Sequence, residues 1–161
     1  MSLKDEIEKL ISAERAKIET SDNKHADYRQ QQRDRFVSLR TILEEIAESI
    51  ESKFIETKFY DSFALIKLGR IEETHRHTDI SWRIEPNSDV RLHAEAGESL
   101  FVTEPGFKVE ETAYYIEDVS DNITIFPNEQ AVSEYLIKEI TEKVAHYRHL
   151  ESLAEKRKKN N

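Results

Sequence analysis

The sequence predicts an α+β fold: a helical N-terminal region, an antiparallel meander sheet of about six or seven strands, and a long C-terminal amphipathic helix packed on one face of the sheet. Residues 3–52 contain neither glycine nor proline, and residues 53–126 are rich in β-branched and aromatic residues. After Asn128, apolar residues return at helical spacing. We therefore divide the 161-residue chain into 1–52 and 53–161 within a single domain.

The N-terminal region carries two apolar patterns separated by a polar stretch. One set of residues restarts the helical pattern near the N-terminus: Leu3, Ile7, Leu10, Ile11 and Ile18. The second set follows strict 3–4 spacing, which is typical of a helix that meets a partner helix or a sheet: Phe36, Leu39, Leu43, Ile46 and Ile50. Potential N-cap residues lie between the two sets, at 20–23. The pattern fits either two helices, about 3–19 and 22–52, or one long helix with a solvated middle.

Strand-like alternation and turn residues divide the middle of the chain into short antiparallel segments. The predicted strands lie near 54–60, 62–69, 77–84, 89–96, 99–104, 107–116 and 122–126. We assign turns to Asp61-Ser62, Glu85-Pro86-Asn87-Ser88, Ala96-Gly97-Glu98 and Pro105-Gly106. Loops this short favour pairing between consecutive strands, so a meander is expected.

The C-terminal helix is the clearest element of the sequence. Asn128 is a suitable N-cap, and apolar residues then recur at helical spacing: Val132, Leu136, Ile140, Val144, Tyr147 and Leu150. Because a half-apolar sheet must bury one face, we expect this helix to lie across it.

Residues 74–86 hold closely spaced histidines and the single tryptophan of the chain. Alternation places Ile80 and Trp82 towards the core, and His77 and Asp79 on the outer face. His75 and His93 are expected to join His77 on that face. The favoured register pairs Arg83 with Asp89, Asp79 with His93, and His77 with Glu95.

Two ligand sites remain as alternatives on this hairpin. Three imidazoles on neighbouring strands can ligate zinc or a similar ion, which makes His75, His77 and His93 weak metal candidates.

The order of helices and strands also resembles the helix-grip folds, in which a curved sheet and a helix enclose an apolar cavity. That resemblance implies a small-ligand cavity lined by Trp82, Leu92, Val102 and Tyr115. We predict that the outer face is solvated and that no metal or cofactor is bound.

Composition excludes several classes of function. A net charge of −9 opposes non-specific binding to nucleic acid or to an anionic membrane. The three glycines, Gly69, Gly97 and Gly106, lie too far apart for a phosphate loop or a dinucleotide fingerprint. The chain has no cysteine, no signal-peptide core and no apolar membrane span, so we expect a cytoplasmic protein.

No residue pattern predicts an enzyme, because no nucleophile motif or metal signature of adequate specificity is present. The sequence instead favours a non-catalytic protein-interaction or adaptor module that acts through its surface and its N-terminal helix. The apolar seam of Phe36, Leu39, Leu43, Ile46 and Ile50 is the predicted partner-binding surface. The expected partner is another protein or a second copy of the chain, as in a homo-oligomer. A small-ligand binder and a metal-dependent enzyme are the alternatives.

Overall fold

The computed structural model describes the backbone of residues 2–72, 75–93 and 98–160, and the side chains of these residues outside 71–76 and 89–104. It confirms the α+β class, with an N-terminal helix, an antiparallel sheet and a C-terminal helix. The elements are α1 (Leu3–Glu48), β1 (Ile55–Phe59), β2 (Ala64–Glu72), β3 (His75–His93), β4 (Glu98–Tyr114), β5 (Val119–Phe126) and α2 (Glu129–Lys159).

The sheet is a meander of five strands in the order β1-β2-β3-β4-β5, with every neighbouring pair antiparallel. The predicted number of six or seven strands is wrong because β3 and β4 are each one long strand rather than two short ones. β3 continues through the predicted turn at Glu85-Pro86-Asn87-Ser88, and β4 continues through Pro105-Gly106. These residues form a bulge instead of turns.

Regular pairing between β3 and β4 is interrupted at one bulge. Pro86 pairs with Phe107, and the next pair is Ser88 with Thr103, so one residue of β3, Asn87, lies opposite residues 104–106 of β4. Gly106 takes a φ of 86°, in the left-handed region that glycine adopts without steric cost. The Asn87 side chain donates a hydrogen bond to the carbonyl of Pro105 at 3.2 Å. Beyond the bulge, residues 88–93 pair with 98–103 and, within the described parts of the chain, with no other strand, so they form a two-stranded extension of the sheet.

The predicted hairpin register is also wrong. Arg83 pairs with Leu65 on one side and with Glu110 on the other, not with Asp89. His93 pairs with Glu98 instead of Asp79, and His77 pairs with Arg70 of β2 instead of Glu95. The predicted pairs assumed that residues 77–84 and 89–96 face each other, whereas most of both segments belongs to β3.

Both helices cover the same face of the sheet and run in the same direction. Ser38 Oγ, in the last third of α1, donates to Glu129 Oε1 at the start of α2 at 2.9 Å. Further along both helices, Arg148 Nε of α2 donates to Glu51 Oε1, just beyond the end of α1, at 2.6 Å. The buried side chains form one core. Its members are Phe36, Leu39, Leu43, Phe54, Ile55, Ala64, Ile66, Leu68, Ile80, Trp82, Ile84, Phe107, Val109, Val132, Leu136, Ile140, Val144 and Tyr147.

The N-terminal region is one continuous helix of 46 residues, which decides between the two alternatives left open by the sequence. Ser2 caps it, its side chain accepting a hydrogen bond from the backbone N–H of Asp5. The helix passes through the polar residues 20–23 without a break. Only its second half meets the sheet, because residues 2–24 are all exposed. We call residues 3–24 the α1 arm; at 1.5 Å per residue it is about 33 Å long.

Candidate interaction site

The apolar seam predicted to bind a partner packs inside the chain. Phe36, Leu39 and Leu43 are completely buried in the core, and Ile46 and Ile50 pack against it from the edge. The seam is therefore not available at the surface of the single chain. Sequence periodicity identifies a helix face that must be covered, but it does not say whether the cover comes from the same chain or another.

The α1 arm carries the surface that the folded chain leaves uncovered. Five large aliphatic residues are exposed on it: Leu3 (71%), Ile7 (47%), Leu10 (66%), Ile11 (56%) and Ile18 (61%). We call this set the arm stripe. At 3.6 residues per turn its members fall within about 100° of one another, on the same side of the helix as the buried seam. The arm stripe thus continues the apolar face of α1 beyond the sheet.

Arg35 holds α1 to the sheet in the half of the helix that follows the arm. Its guanidinium donates to the backbone carbonyls of Asn87 and Gly106, both at 2.8 Å, and to Gln32 Oε1 at 2.9 Å. Partial burial lowers the pKa of Arg35 from its usual value. The two carbonyls lie on opposite strands of the bulge, so one side chain joins the helix to both. No pattern in the sequence indicated this contact.

The structure only partly covers the predicted metal candidates. The side chains of His75 and His93 lie outside the described residues. His77 is exposed, and its Nε2 atom lies 3.5 Å from Asp79 Oδ1. Among the described side chains, no three histidine, cysteine, aspartate or glutamate residues are grouped closely enough to hold a metal ion.

Asp79 does not lie on the outer face as predicted. Its Oδ2 atom accepts a hydrogen bond of 2.7 Å from the hydroxyl of Tyr147, which belongs to α2 on the helix-covered side. The cause is a bulge between Leu68 and Gly69, which leaves Asp79 as the extra residue of β3 opposite them. Strict alternation along the strand cannot anticipate such a shift.

The residues predicted to line a ligand cavity do not come together where the structure describes them. Trp82 is 1% exposed in the core, whereas Tyr115 is 66% exposed at the turn between β4 and β5. The side chains of Leu92 and Val102 lie outside the described residues. Trp82 Nε1 instead donates to Glu111 Oε1 at 2.9 Å, and the same oxygen accepts from the Tyr135 hydroxyl at 2.6 Å. These two hydrogen bonds satisfy the polar atoms of Trp82, Glu111 and Tyr135 where the sheet meets α2.

Two tyrosines of α2, the buried Tyr147 and the half-buried Tyr135, make the stability of the fold sensitive to alkaline pH. Burial, assisted by hydrogen bonds to Glu111 and Asp79 respectively, raises the pKa values of Tyr135 and Tyr147 above the usual value. A raised folded-state pKa stabilises the fold fully below the unfolded pKa of about 10, and this contribution is lost as the pH rises above it.

We expect Tyr147→Phe to reduce this alkaline loss of stability. The measurement is the free energy of unfolding by urea, for both proteins, between about pH 8 and pH 11. The wild-type value should fall more steeply above pH 10 than that of the variant, although the variant is less stable at pH 8 because Asp79 loses a donor. Parallel pH profiles for the two proteins would show that Tyr147 does not contribute.

Neither helix of the described residues contains an apolar stretch long enough to cross a membrane. Comparison of the chain with protein families, with curated proteins and with solved structures finds no match. Among the described residues, the arm stripe is the longest row of exposed apolar side chains on a helix.

Proposed function

We propose that this protein is a non-catalytic interaction module, and that its α1 arm pairs with the arm of a second copy. The observation that carries the proposal is the arm stripe, five aliphatic residues between 47% and 71% exposed on a helix that extends past its own sheet. In proteins, most of the stability of a helix comes from the packing of its apolar face. A partner helix supplies that packing.

The charge distribution supports a second copy as the partner. The arm contains five basic and six acidic residues, a net charge of −1, so −8 of the total of −9 lies elsewhere. Two arms can therefore approach with little repulsion, whereas the remaining parts of the two chains, residues 25–161, repel each other. Antiparallel pairing brings the arms together and keeps the remaining parts of the two chains apart, because it places them at opposite ends of the helix pair.

An antiparallel pair centred near residue 12 is also complementary in detail. Ile7 of one arm then lies near Ile18 of the other, and Glu8 lies near Arg15 of the second copy. Because the pair is two-fold symmetric, each contact occurs twice. Opposite charges beside an apolar seam set the orientation of paired helices.

The buried area fits a reversible association. Covering a partly exposed leucine or isoleucine contributes on the order of 1–2 kcal/mol, so ten such residues contribute roughly 10–20 kcal/mol. Association costs about 4–15 kcal/mol in lost freedom of motion. Because the favourable and unfavourable terms are of similar size, we expect a weak, reversible association, with a dissociation constant between about 1 and 100 μM.

The test replaces Leu10 and Ile11 together with lysine. We expect the wild-type protein to become dimeric between about 1 and 100 μM, and the double variant to stay monomeric over the same range. Sedimentation equilibrium and native mass spectrometry measure the stoichiometry. Far-ultraviolet circular dichroism should show that helix content rises with concentration in the wild type only.

A matched control comes from the same helix. Val37 is 60% exposed on α1 but lies on a different side from the arm stripe. Val37→Lys adds a charge to an exposed apolar position and should leave dimerisation unchanged. A wild-type protein that is monomeric at 100 μM, or a double variant that dimerises as well as the control, would contradict the proposal.

A further inference from the structure

The end strand β5 leaves one backbone edge open to solvent. In the five-strand sheet it pairs with β4 on one side and, among the described residues, with no strand on the other. Tyr115 N–H donates to the Asp118 carbonyl at 2.8 Å, which makes this a hydrogen-bonded pair of the hairpin. Alternation then directs the backbone groups of Ser120, Asn122 and Thr124 towards β4, and those of Asp121, Ile123 and Ile125 outwards.

β5 has few of the features that normally protect an edge strand, and Asp121 is its one charged residue. It contains no proline, lysine or arginine, and its residues are exposed along almost the whole strand. An apolar row lies on its outer side: Val119 (54%), Ile123 (58%) and Ile125 (49%). The opposite end strand, β1, is only five residues long and exposes Glu56 and Lys58. Open, β-branched edges are templates for strand addition.

The charges around β5 indicate what kind of strand fits. Glu110, Glu117, Asp118 and Asp121 lie on or beside the outer side of the β4–β5 hairpin. The lysine in this region, Lys108, is already paired with Glu85 at 2.9 Å. A second copy would bring the same negative charges to the edge, whereas a basic segment meets opposite charge.

We propose that the open edge of β5 binds an extended, positively charged segment of another protein as a sixth strand. Its backbone pairs with Asp121, Ile123 and Ile125, its branched apolar side chains lie beside Ile123 and Ile125, and a lysine or arginine lies beside Asp121. This site is separate from the α1 arm, and its existence does not depend on the proposed self-association.

The probe is a seven-residue peptide of alternating valine and threonine with one added lysine at each end. The control peptide has the same sequence but is N-methylated at two adjacent central residues, which blocks both of its hydrogen-bonding edges and retains its charge. A second control carries glutamate in place of lysine. We expect both controls to bind at least about tenfold more weakly than the probe, measured by isothermal titration calorimetry.

Amide hydrogen exchange followed by nuclear magnetic resonance gives a residue-level readout on the wild-type protein. The probe should slow exchange at Asp121, Ile123 and Ile125, because their N–H groups face the open edge. The amides of Ser120, Asn122 and Thr124 already face β4 and should change much less. Equal protection of both sets would be inconsistent with strand addition.

Ile123→Pro removes one outward donor without removing a hydrogen bond to β4, since proline is tolerated at solvent-facing positions of edge strands. It should weaken probe binding about tenfold, whereas Ile123→Ala, which keeps the donor, should weaken it less. Thermal unfolding checks that both variants fold. If the proline variant does not fold, the hydrogen-exchange pattern of the wild-type protein provides the test.

The alternatives give different results. Equal binding of the N-methylated peptide would mean that charge alone attracts the probe and would overturn the proposal, as would an absence of binding. A dimer that Ile123→Pro dissociates but the Leu10 and Ile11 lysine variant does not would assign the edge to a second copy instead.

Discussion

Replacing Trp82 with alanine is expected to lower the free energy of unfolding by about 3–5 kcal/mol, because it removes a large buried side chain that the surroundings cannot refill. Trp82 is 1% exposed on the helix-covered face of β3, in a core contributed by the sheet and both helices. The substitution also removes the hydrogen bond from its indole to Glu111. Urea unfolding followed by circular dichroism measures the difference.

Two further variants separate the contributions. Trp82→Phe keeps most of the apolar volume and removes the donor to Glu111, so it should cost less than the alanine variant. Tyr114→Ala removes a ring that is 41% exposed on the other face of the sheet, and it should cost less than about 1 kcal/mol. A Trp82→Ala change below about 1 kcal/mol would mean that the orientation of β3 is reversed.

Gly69→Ala is the second substitution with a large expected effect, at least about 3 kcal/mol. A Cβ atom on residue 69 would overlap the backbone carbonyl oxygen of His77 on the neighbouring strand. A backbone carbonyl held in a strand cannot rotate away as a side chain can. The N–H of Gly69 also donates to the Phe54 carbonyl at 3.0 Å, so moving residue 69 would disturb the start of β1.

Lys67→Ala is the matched control for the glycine variant, because it lies two residues earlier on β2 and is exposed. It should change the free energy of unfolding by less than about 0.5 kcal/mol. If Gly69→Ala is as mild as this control, β2 and β3 do not approach closely at the bulge.

The elements that depend on regular periodicity were predictable from the sequence. The helical stripe of α2 is buried from Val132 to Tyr147, and its N-cap is Asn128 as expected. The antiparallel meander also follows from short connections. The bulges were not predictable in the same way, because proline and glycine are typical of turns and also occur in bulges, so their presence does not distinguish the two. Because Pro86 and Pro105-Gly106 indicate turns, the sequence predicts four short strands where the structure has two long ones.

The candidate site was predictable only in part. The apolar residues of the arm stripe are visible in the sequence, but their exposure depends on where the sheet ends beneath α1. The edge of β5 has no signal of its own, because a strand becomes an edge only through the order of its neighbours. Asp79 shows the same limit at a single residue: its contact with Tyr147 depends on a bulge formed with β2.

Arg35 links the helix that carries the α1 arm to the base of the two-stranded extension of β3 and β4. The α1 arm lies further towards the N-terminus of the same helix, and the two-stranded extension of β3 and β4 begins at the carbonyls that Arg35 binds. Because one guanidinium binds both strands, loss of the Arg35 side chain would remove a link to each strand of the extension at once.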